Sequence, residues 1–343
     1  MYGWPNVFLL RSRQIRTDYY MRIDISNTRS LFGDSACLYG PVIAGIIPRM
    51  VNVPYRFWDN NSVTAAIADG SAGAADVNAI AAAELLLGAH LAAVTSVVRA
   101  SRWIEATWRE YEAENILGWA ACCRSLLEST GDTIDALGSM GADIAENTDL
   151  LMRALSGYDE ALLDLGSLED KLIHFSHARK IKKAEKGQVP SSHVARQTTE
   201  YISLLESAGL LGPAALYAEL CEIGHPAQRS ISWMYEQIDG GFRVEPNQDA
   251  HHIAAIVKRY RDDIYLLPSL AFNPGLLILR VLVKFGMFPL VPELRRFSFQ
   301  GAKAWDKIKP VLAGAAPTLR RNWLVDQITA ATKTSSDVPT FPY

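Results

Sequence analysis

The sequence predicts an all-α fold, a multi-helix bundle with an irregular N-terminal segment and additional C-terminal helices. Apolar side chains recur at helical spacing along most of the chain after residue 73. Several of these stretches are bounded by Gly, Pro or Ser, which are typical of helix starts and stops. The pattern divides the chain into an irregular segment (1–60), a main helical bundle (61–241), a C-terminal helical region (242–333) and a tail (334–343).

Length and composition are those of an ordinary soluble globular protein. The chain has 343 residues, of which 49% are hydrophobic and 21% charged, enough to bury a large core. Its formal net charge of -3 provides no global attraction to nucleic acid or to anionic membranes.

The cysteines and the apolar stretches predict a cytoplasmic protein without a transmembrane segment. The 4 cysteines form no C-x-x-C motif and are typical of a reducing compartment. Prolines or charges interrupt the apolar stretches Leu38–Val53 and Pro274–Val291, so neither is a charge-free span of about 20 residues. The first residues lack a secretory signal pattern.

The N-terminal segment fits no regular element well. Tyr19–Ile25 is consistent with a strand, and Pro41, Pro48 and Pro54 are expected to break the stretch after it. Met21 is an alternative to Met1 as the start of the protein.

A long, well-buried helix is predicted from Ala74 to Arg99, because even its outer faces consist largely of Ala and Leu. Glu84 and His90 lie within this apolar stretch. A buried carboxylate needs a partner. Glu84 is therefore expected to be a hydrogen-bonded core residue, with an active-site acid as the alternative.

A second long helix carries an apolar stripe (Ile116, Ala120, Cys123, Leu127, Thr130, Ile134 and Leu137). Arg124 and Glu128 are neighbours on this helix, one position away from the stripe. An exposed pair of this kind contributes only tenths of a kcal/mol. A half-buried pair would anchor a polar network.

One dense run of cations ends the next predicted helix, Leu162–Ile181. It consists of Arg179, Lys180, Lys182, Lys183 and Lys186. A solvated helix end is the expected role, because cations favour the carbonyl end of a helix. The alternative is a local phosphate or nucleic-acid contact, although no aromatic residues alternate with the cations.

A helix over Val194–Ala208 leads to the stretch Leu216–Tyr235, which predicts two helices meeting at His225 and Pro226. Pro213 is suited to start the first helix, and Gly224 to end it. The second helix is predicted to present four apolar residues on one face and to end at Asp239. These are Ile231, Met234, Tyr235 and Ile238. His225 at the corner either hydrogen-bonds free backbone groups or forms the centre of a polar site.

Four further helices are predicted after residue 245. They cover Pro246–Leu267, Leu276–Phe288, Glu293–Leu312 and Leu319–Ala331. The chain contains no nucleophile elbow, phosphate-binding glycine loop, dinucleotide fingerprint or H-E-x-x-H motif. His174 and His177 are three residues apart, but no further ligands are placed beside them by spacing. The sequence predicts no metal site and no cofactor.

The order of these features resembles that of bacterial all-helical families without an assigned activity, which are distantly similar to HEPN-type bundles. It comprises an Arg-x-x-x-Glu helix (Arg124, Glu128), a basic loop, and a Tyr-x-x-Leu-Cys-x-x-x-His-Pro segment from Tyr217 to Pro226. The resemblance covers about residues 74–240. It implies that Arg124, Glu128, Tyr217 and His225 meet inside a bundle, and that the protein belongs to a bacterial defence or stress system.

The active HEPN ribonucleases carry an Arg followed, after four to six residues, by a His. None of the 7 histidines in this chain has an Arg at that distance upstream, and the separation from Arg243 to His251 is longer. The resemblance therefore does not supply the ribonuclease motif.

The expected function is a soluble helical protein that binds a protein partner or a small ligand, with a structural polar cluster. The alternative is an HEPN-like ribonuclease or other hydrolase in which His225 is the general base and Arg124 or Arg229 stabilises phosphate charge. A third possibility is peripheral docking to a membrane through Leu276–Phe288. If the polar residues meet without a pocket beside them, the structural role is favoured. If they meet at an open cleft, a catalytic role is favoured.

Overall fold

The protein is described by a computed structural model over residues 25–50, 54–157, 161–182, 185, 187–226, 228–288, 291–299 and 301–314. It confirms the all-α fold, to which a single two-stranded hairpin is added in the described residues. The predicted strand at 19–25 and the predicted helix at 319–331 lie almost entirely or wholly outside these residues.

Most helices follow one another with short connections, and a longer loop over residues 178–197 joins the seventh helix to the eighth. They are α1 (Arg29–Met50), α2 (Asn60–Ala68), α3 (Ala74–Glu112), α4 (Ile116–Leu137), α5 (Met140–Glu146), α6 (Thr148–Leu155), α7 (Gly166–His177), α8 (Thr198–Ala208), α9 (Pro213–Gly224), α10 (Gln228–Ser232), α11 (Asp249–Arg259), α12 (Arg261–Leu282), α13 (Pro292–Arg296) and α14 (Trp305–Ala313). Strands β1 (Tyr235–Ile238) and β2 (Gly241–Val244) separate α10 from α11. Short 3-10 turns flank α1, α8, α11 and α12.

The core is built around α3, which packs against α4 on one side and α12 on the other. Gly275 of α12 allows the close approach to α3, since a Cβ atom there would lie 2.9 Å from the carbonyl oxygen of Ala93. One hydrophobic cluster extends from Ile25 to Ile308. It includes α12, which the sequence division assigned to a separate C-terminal region.

Helix α1 overturns the expectation of an irregular segment over residues 25–50. Pro41 and Pro48 lie inside this helix, and its only non-helical residue is Gly33, with φ 71°. An internal proline costs roughly 3 kcal/mol. Burial of one face of α1, including Phe32, Ile43 and Ile46, offsets that cost.

The β-hairpin replaces the helix that was predicted after Pro226. Helix α10 ends at Ser232, and β1 pairs antiparallel with β2 from Tyr235↔Val244 to Ile238↔Gly241. Gly240 adopts φ 81° in the two-residue turn. Asp-Gly between two short apolar runs is a strong hairpin signal. The helical spacing of the apolar residues before it was therefore misleading.

Three helices are long and apolar enough to cross a membrane: Arg29–Met50, Ala74–Glu112 and Arg261–Phe285. Two of them contain most of the stretches that the sequence analysis excluded as spans because of prolines and charges. In this fold, 61% to 67% of their apolar windows is buried inside the protein. The residues Leu276–Leu282 are almost all buried, which leaves few apolar side chains for membrane docking through this stretch.

Two further predicted helices are shorter than expected. Helix α7 ends at His177, so the basic run lies in the loop after the helix rather than on its last turn. The predicted helix over 293–312 is interrupted between α13 and α14 by residues 297–304.

Candidate functional site

The first candidate site lies where α9 packs along α4. The carboxylate of Asp263 in α12 accepts hydrogen bonds from the backbone N–H groups of Leu211 (2.6 Å) and Gly212 (2.8 Å), just before α9. This buried carboxylate therefore fixes the start of α9. Pro213 opens the helix as predicted, because its missing N–H leaves no unsatisfied donor at that position.

Three of the four residues predicted to converge do meet at this contact. The hydroxyl of Tyr217 donates a hydrogen bond of 2.6 Å to Glu128 Oε1. Arg124 Nε lies 3.8 Å from the same oxygen. That nitrogen is buried and has no hydrogen-bond partner among the described residues. Burial, followed by hydrogen bonds with Glu128 and Cys221, raises the pKa of Tyr217. We refer to Arg124, Glu128, Tyr217 and Cys221 as the α4–α9 cluster.

His225 lies apart from the α4–α9 cluster. It is exposed at the end of α9, with φ −91° and ψ 146°, the extended conformation required before proline. Its backbone N–H donates to the carbonyl of Cys221. Within the described residues, no hydrogen bond joins its imidazole to Arg124, Glu128 or Tyr217. The side chain of Arg229 lies outside the described part of the structure.

The basic run forms part of a closed loop. Arg179 makes two hydrogen bonds to the carboxylate of Glu185, at 2.7 and 3.0 Å. The backbone of Arg179 pairs with His193 and Ala195 across the base of the loop. Lys180 and Lys182 are exposed, while Lys183 and Lys186 lie outside the described residues. At least one cation of the run is thus already paired within the loop.

A second polar network, which no sequence pattern predicted, joins α4 to α7 and to the segment just before α8. Asp135 Oδ2 accepts a 2.6 Å hydrogen bond from Arg196 Nε. His174 Nε2 lies 3.4 Å from the same oxygen without forming a hydrogen bond. Asp135 is largely buried, with 11% of its side chain exposed. These residues are far apart in the sequence, and no local spacing connects them.

Arg99 of α3 extends this network towards α4 and α7. Its Nη2 lies 2.6 Å from Asp132 Oδ2 and donates a 2.8 Å hydrogen bond to Thr133 Oγ1. Its guanidinium stacks over the ring of Phe175 at 4.9 Å. The guanidinium is therefore held in one position by groups from two other helices.

An open groove of about 580 Å³ runs along α3 beside Arg99. It is lined by Thr95, Val98, Arg99, Arg102, Trp103 and Ala106, and most of its wall is apolar. Its volume is within the range of small-molecule sites, about 300 to 1,000 Å³. None of the residues of the α4–α9 cluster lines it.

Glu84 and His90 lie on the buried part of α3 under residues 54–58. Glu84 Oε1 accepts a 2.6 Å hydrogen bond from the backbone N–H of Trp58. Burial, with a smaller contribution from the charge of Glu169, raises the pKa of Glu84 to about 7 despite that hydrogen bond. The expected partner of Glu84 is therefore present, and it is a backbone group.

The imidazole of His90 is buried against two aromatic rings. Its Nδ1 is 2.7 Å from the hydroxyl of Tyr55, and its ring stacks on Phe288 at 3.9 Å. Burial lowers the pKa of His90 to about 4 and raises that of Tyr55 to about 12. His90 and Tyr55 are thus held in their uncharged forms at neutral or mildly acidic pH.

The geometry separates these sites by what each can do. The α4–α9 cluster joins two helices, Glu84 and His90 hold residues 54–58 onto α3, and the α3 groove provides space for a ligand. Comparison with protein-family models, with curated proteins and with solved structures finds no match to this chain.

Proposed function

We propose that this is a soluble, cytoplasmic, non-catalytic helical protein that binds a small amphiphilic ligand in the α3 groove. The observation that carries the proposal is the groove itself, about 580 Å³ in volume, with apolar walls and two guanidinium groups. Val98, Trp103 and Ala106 suit an apolar body. Arg99, which keeps its pair with Asp132, and Arg102 place two guanidinium groups at the wall of the groove, and these suit an anionic group on that body.

The burial of the three long apolar helices supports a soluble form. Of the most apolar stretch in each of these helices, 61% to 67% is buried inside the protein. Packing in the protein core therefore accounts for their apolar composition. A place in a bacterial defence or stress system is supported by the resemblance to HEPN-type bundles alone.

A dye with an apolar body and one anionic group tests the groove. We expect anilinonaphthalene sulfonate to bind the purified protein saturably, with about one site per chain. Replacement of Ala106 by Trp should fill the groove and reduce dye binding at least tenfold, a loss of about 1.4 kcal/mol. Dye fluorescence titrations measure both affinities.

The matched control is Ala81→Trp, which introduces the same side chain at an exposed position of the same helix. It should leave the dye affinity unchanged. Equal affinities for wild type and Ala106→Trp would contradict the proposal, as would binding only after partial unfolding.

The ribonuclease alternative is supported by the exposure of His225, which leaves its imidazole accessible to a substrate. The α4–α9 cluster, in which Tyr217 of α9 donates a hydrogen bond to Glu128 of α4, supports the structural role instead. One set of variants separates the two. On the structural proposal, Tyr217→Phe loses a hydrogen bond to a carboxylate and destabilises the protein by about 1 to 2 kcal/mol, whereas His225→Ala leaves its stability unchanged.

Chemical denaturation measures the two stabilities, and incubation with tRNA and total RNA tests for cleavage. Tyr265→Phe is the control, because its hydroxyl meets only an exposed guanidinium in the described structure. Cleavage by the wild type that disappears in His225→Ala would replace the non-catalytic proposal with the ribonuclease.

A further inference from the structure

The charge of the chain is unevenly distributed. Residues 280–314, the basic region, contain seven Lys and Arg against two Asp and Glu, a formal charge of +5. The rest of the chain contains 27 Lys and Arg against 35 Asp and Glu, a formal charge of −8. Two of the seven cations are already engaged, because Lys307 pairs with Glu146 and the buried Lys284 donates to the carbonyl of Gly314. The other five still form a cationic region in an acidic protein.

Two arginines of the basic region repel each other. Arg280 is half-buried at the last turn of α12, and its Nε has no hydrogen-bond partner among the described residues. Burial lowers the pKa of Arg280, and the charge of Arg295 lowers it further. A guanidinium in this environment is suited to a neighbouring anion.

A polar cleft of about 420 Å³ lies in the same region, between the residues after α13 and the face of α14. Lys303, Trp305 and Lys309 line it, together with Ser298 and the one acidic residue Asp306. Both lysines are exposed. Two ammonium groups beside an indole are suited to a phosphate group at an interface, where Trp is favoured.

The fold places α13, which carries Arg295 and Arg296, at one end of helices α1 and α12. Helices α1 and α12 run parallel, because Ser35 contacts Tyr265 and Tyr39 contacts Asn273. Their carbonyl ends therefore lie at the same end of the protein, where cations are favoured.

Arg49 at the end of α1 contacts Glu293, which places α13 beside that helix end. The cleft lies between α13 and α14, and α14 in turn packs on α5, where Lys307 pairs with Glu146.

We propose that the basic region docks the protein onto an anionic lipid bilayer by binding the phosphate groups of its lipids. The uneven charge favours this partner. A planar anionic surface attracts the basic region and repels the acidic remainder, so the protein would approach with one orientation. Trp305 is the aromatic residue that lines the cleft. The rings in contact behind it are the buried Phe299 and the half-buried Phe297, so the cleft does not present the series of exposed rings on which nucleic-acid bases stack. This proposal is independent of the α3 groove.

Vesicle flotation tests the proposal. The full-length protein should float with vesicles of phosphatidylcholine mixed with phosphatidylglycerol, but not with phosphatidylcholine alone. Reversal of both lysines of the cleft, in Lys303→Glu/Lys309→Glu, should lower the partition coefficient by roughly thirtyfold, at about fivefold for each lost cation. Raising the salt concentration should release the wild type.

The matched control reverses two exposed lysines of the basic run, in Lys180→Glu/Lys182→Glu, and should bind nearly as well as wild type. An equal loss in both variants would overturn the proposal in favour of unspecific attraction. Lys303→Gln/Lys309→Gln repeats the test with neutral side chains if the charge reversal disturbs folding.

Two further arms distinguish the source of the phosphate. In the first arm, inorganic phosphate and chloride are added to the vesicle-bound protein at equal ionic strength. Displacement by phosphate alone would show a site for free phosphate and overturn the docking proposal. Tighter binding to single-stranded RNA than to anionic vesicles would do the same in favour of nucleic acid. Flotation with phosphatidylcholine alone would indicate apolar insertion instead.

Discussion

Replacement of Glu84 by Gln is expected to stabilise the protein by about 2 to 3 kcal/mol above pH 7 and to have little effect near pH 4. The folded protein holds the pKa of this carboxyl at about 7 instead of 4.5. The folded state therefore binds this proton more tightly than the unfolded state. The resulting stability is present below pH 4.5 and is lost as the pH rises towards 7.

Urea denaturation of both proteins between pH 4 and 8 measures this difference. His90 contributes with the opposite sign, because its pKa is lowered to about 4 and its burial destabilises the protein in acid. The difference in free energy of unfolding between Glu84→Gln and the wild type, taken at each pH, removes the contribution of His90, which both proteins share. Glu206→Gln, at an exposed position of α8, should show no such pH dependence. Equal stabilities of wild type and Glu84→Gln at pH 8 would contradict the burial of an ionised Glu84.

Replacement of Gly131 by Ala should destabilise the protein by about 1 to 3 kcal/mol, although Ala is the better helix former. Helix α4 crosses α8 at this residue, and a Cβ atom there would lie 2.5 Å from the backbone carbonyl oxygen of Tyr201. Since the obstacle is backbone, the helices must separate to admit the methyl group. Chemical denaturation measures the loss.

Gly224→Ala is the matched control for the change at Gly131. A Cβ atom at Gly224 meets only Arg124 Nη1, at 4.0 Å. This substitution should be neutral or slightly stabilising. A neutral effect at Gly131 would instead mean that α4 and α8 separate at little cost.

Both predictions concern contacts that hold the long helices together, and both leave the α3 groove and the basic region intact. Stability and binding are therefore expected to be separable in this protein. A variant of Glu84 or Gly131 that folds at the assay temperature should keep the dye affinity of the α3 groove.

Helix positions were well predicted wherever apolar periodicity and end signals agreed. The apolar stripe from Ile116 to Leu137 predicted α4 with its observed ends. Pro213 and Gly224 were predicted as the first and last residues of a helix, and they are the ends of α9 in the structure. The segment that forms α1 was predicted to be irregular, because Pro41 and Pro48 are local helix breakers. In the structure, packing of its buried face keeps this segment helical.

The hairpin was missed for a different reason. Ile231, Met234, Tyr235 and Ile238 fit helical spacing, but Asp239-Gly240 is a turn signal that favours strands on either side. In the structure, Ile238 pairs with Gly241 across that turn. The local signal was present in the sequence and was assigned to the end of a helix.

The candidate sites were predicted only in part, because their members come from separate helices. Arg124 and Glu128 are neighbours through helical spacing, whereas Tyr217 reaches Glu128 only because α9 packs along α4. For the same reason, the hydrogen bond between Asp135 and Arg196 was not predicted, because these residues are 61 positions apart in the sequence.

The sequence by itself determined the helical class and most of the long helices, because hydrophobic periodicity and end residues act within a few turns. Tertiary structure alone decided which polar groups meet, which carboxylate is buried, and which cations of residues 280–314 line a cleft. These features depend on helix packing over long sequence separations, and the energies of buried charges depend on what surrounds them. No local pattern encodes that environment.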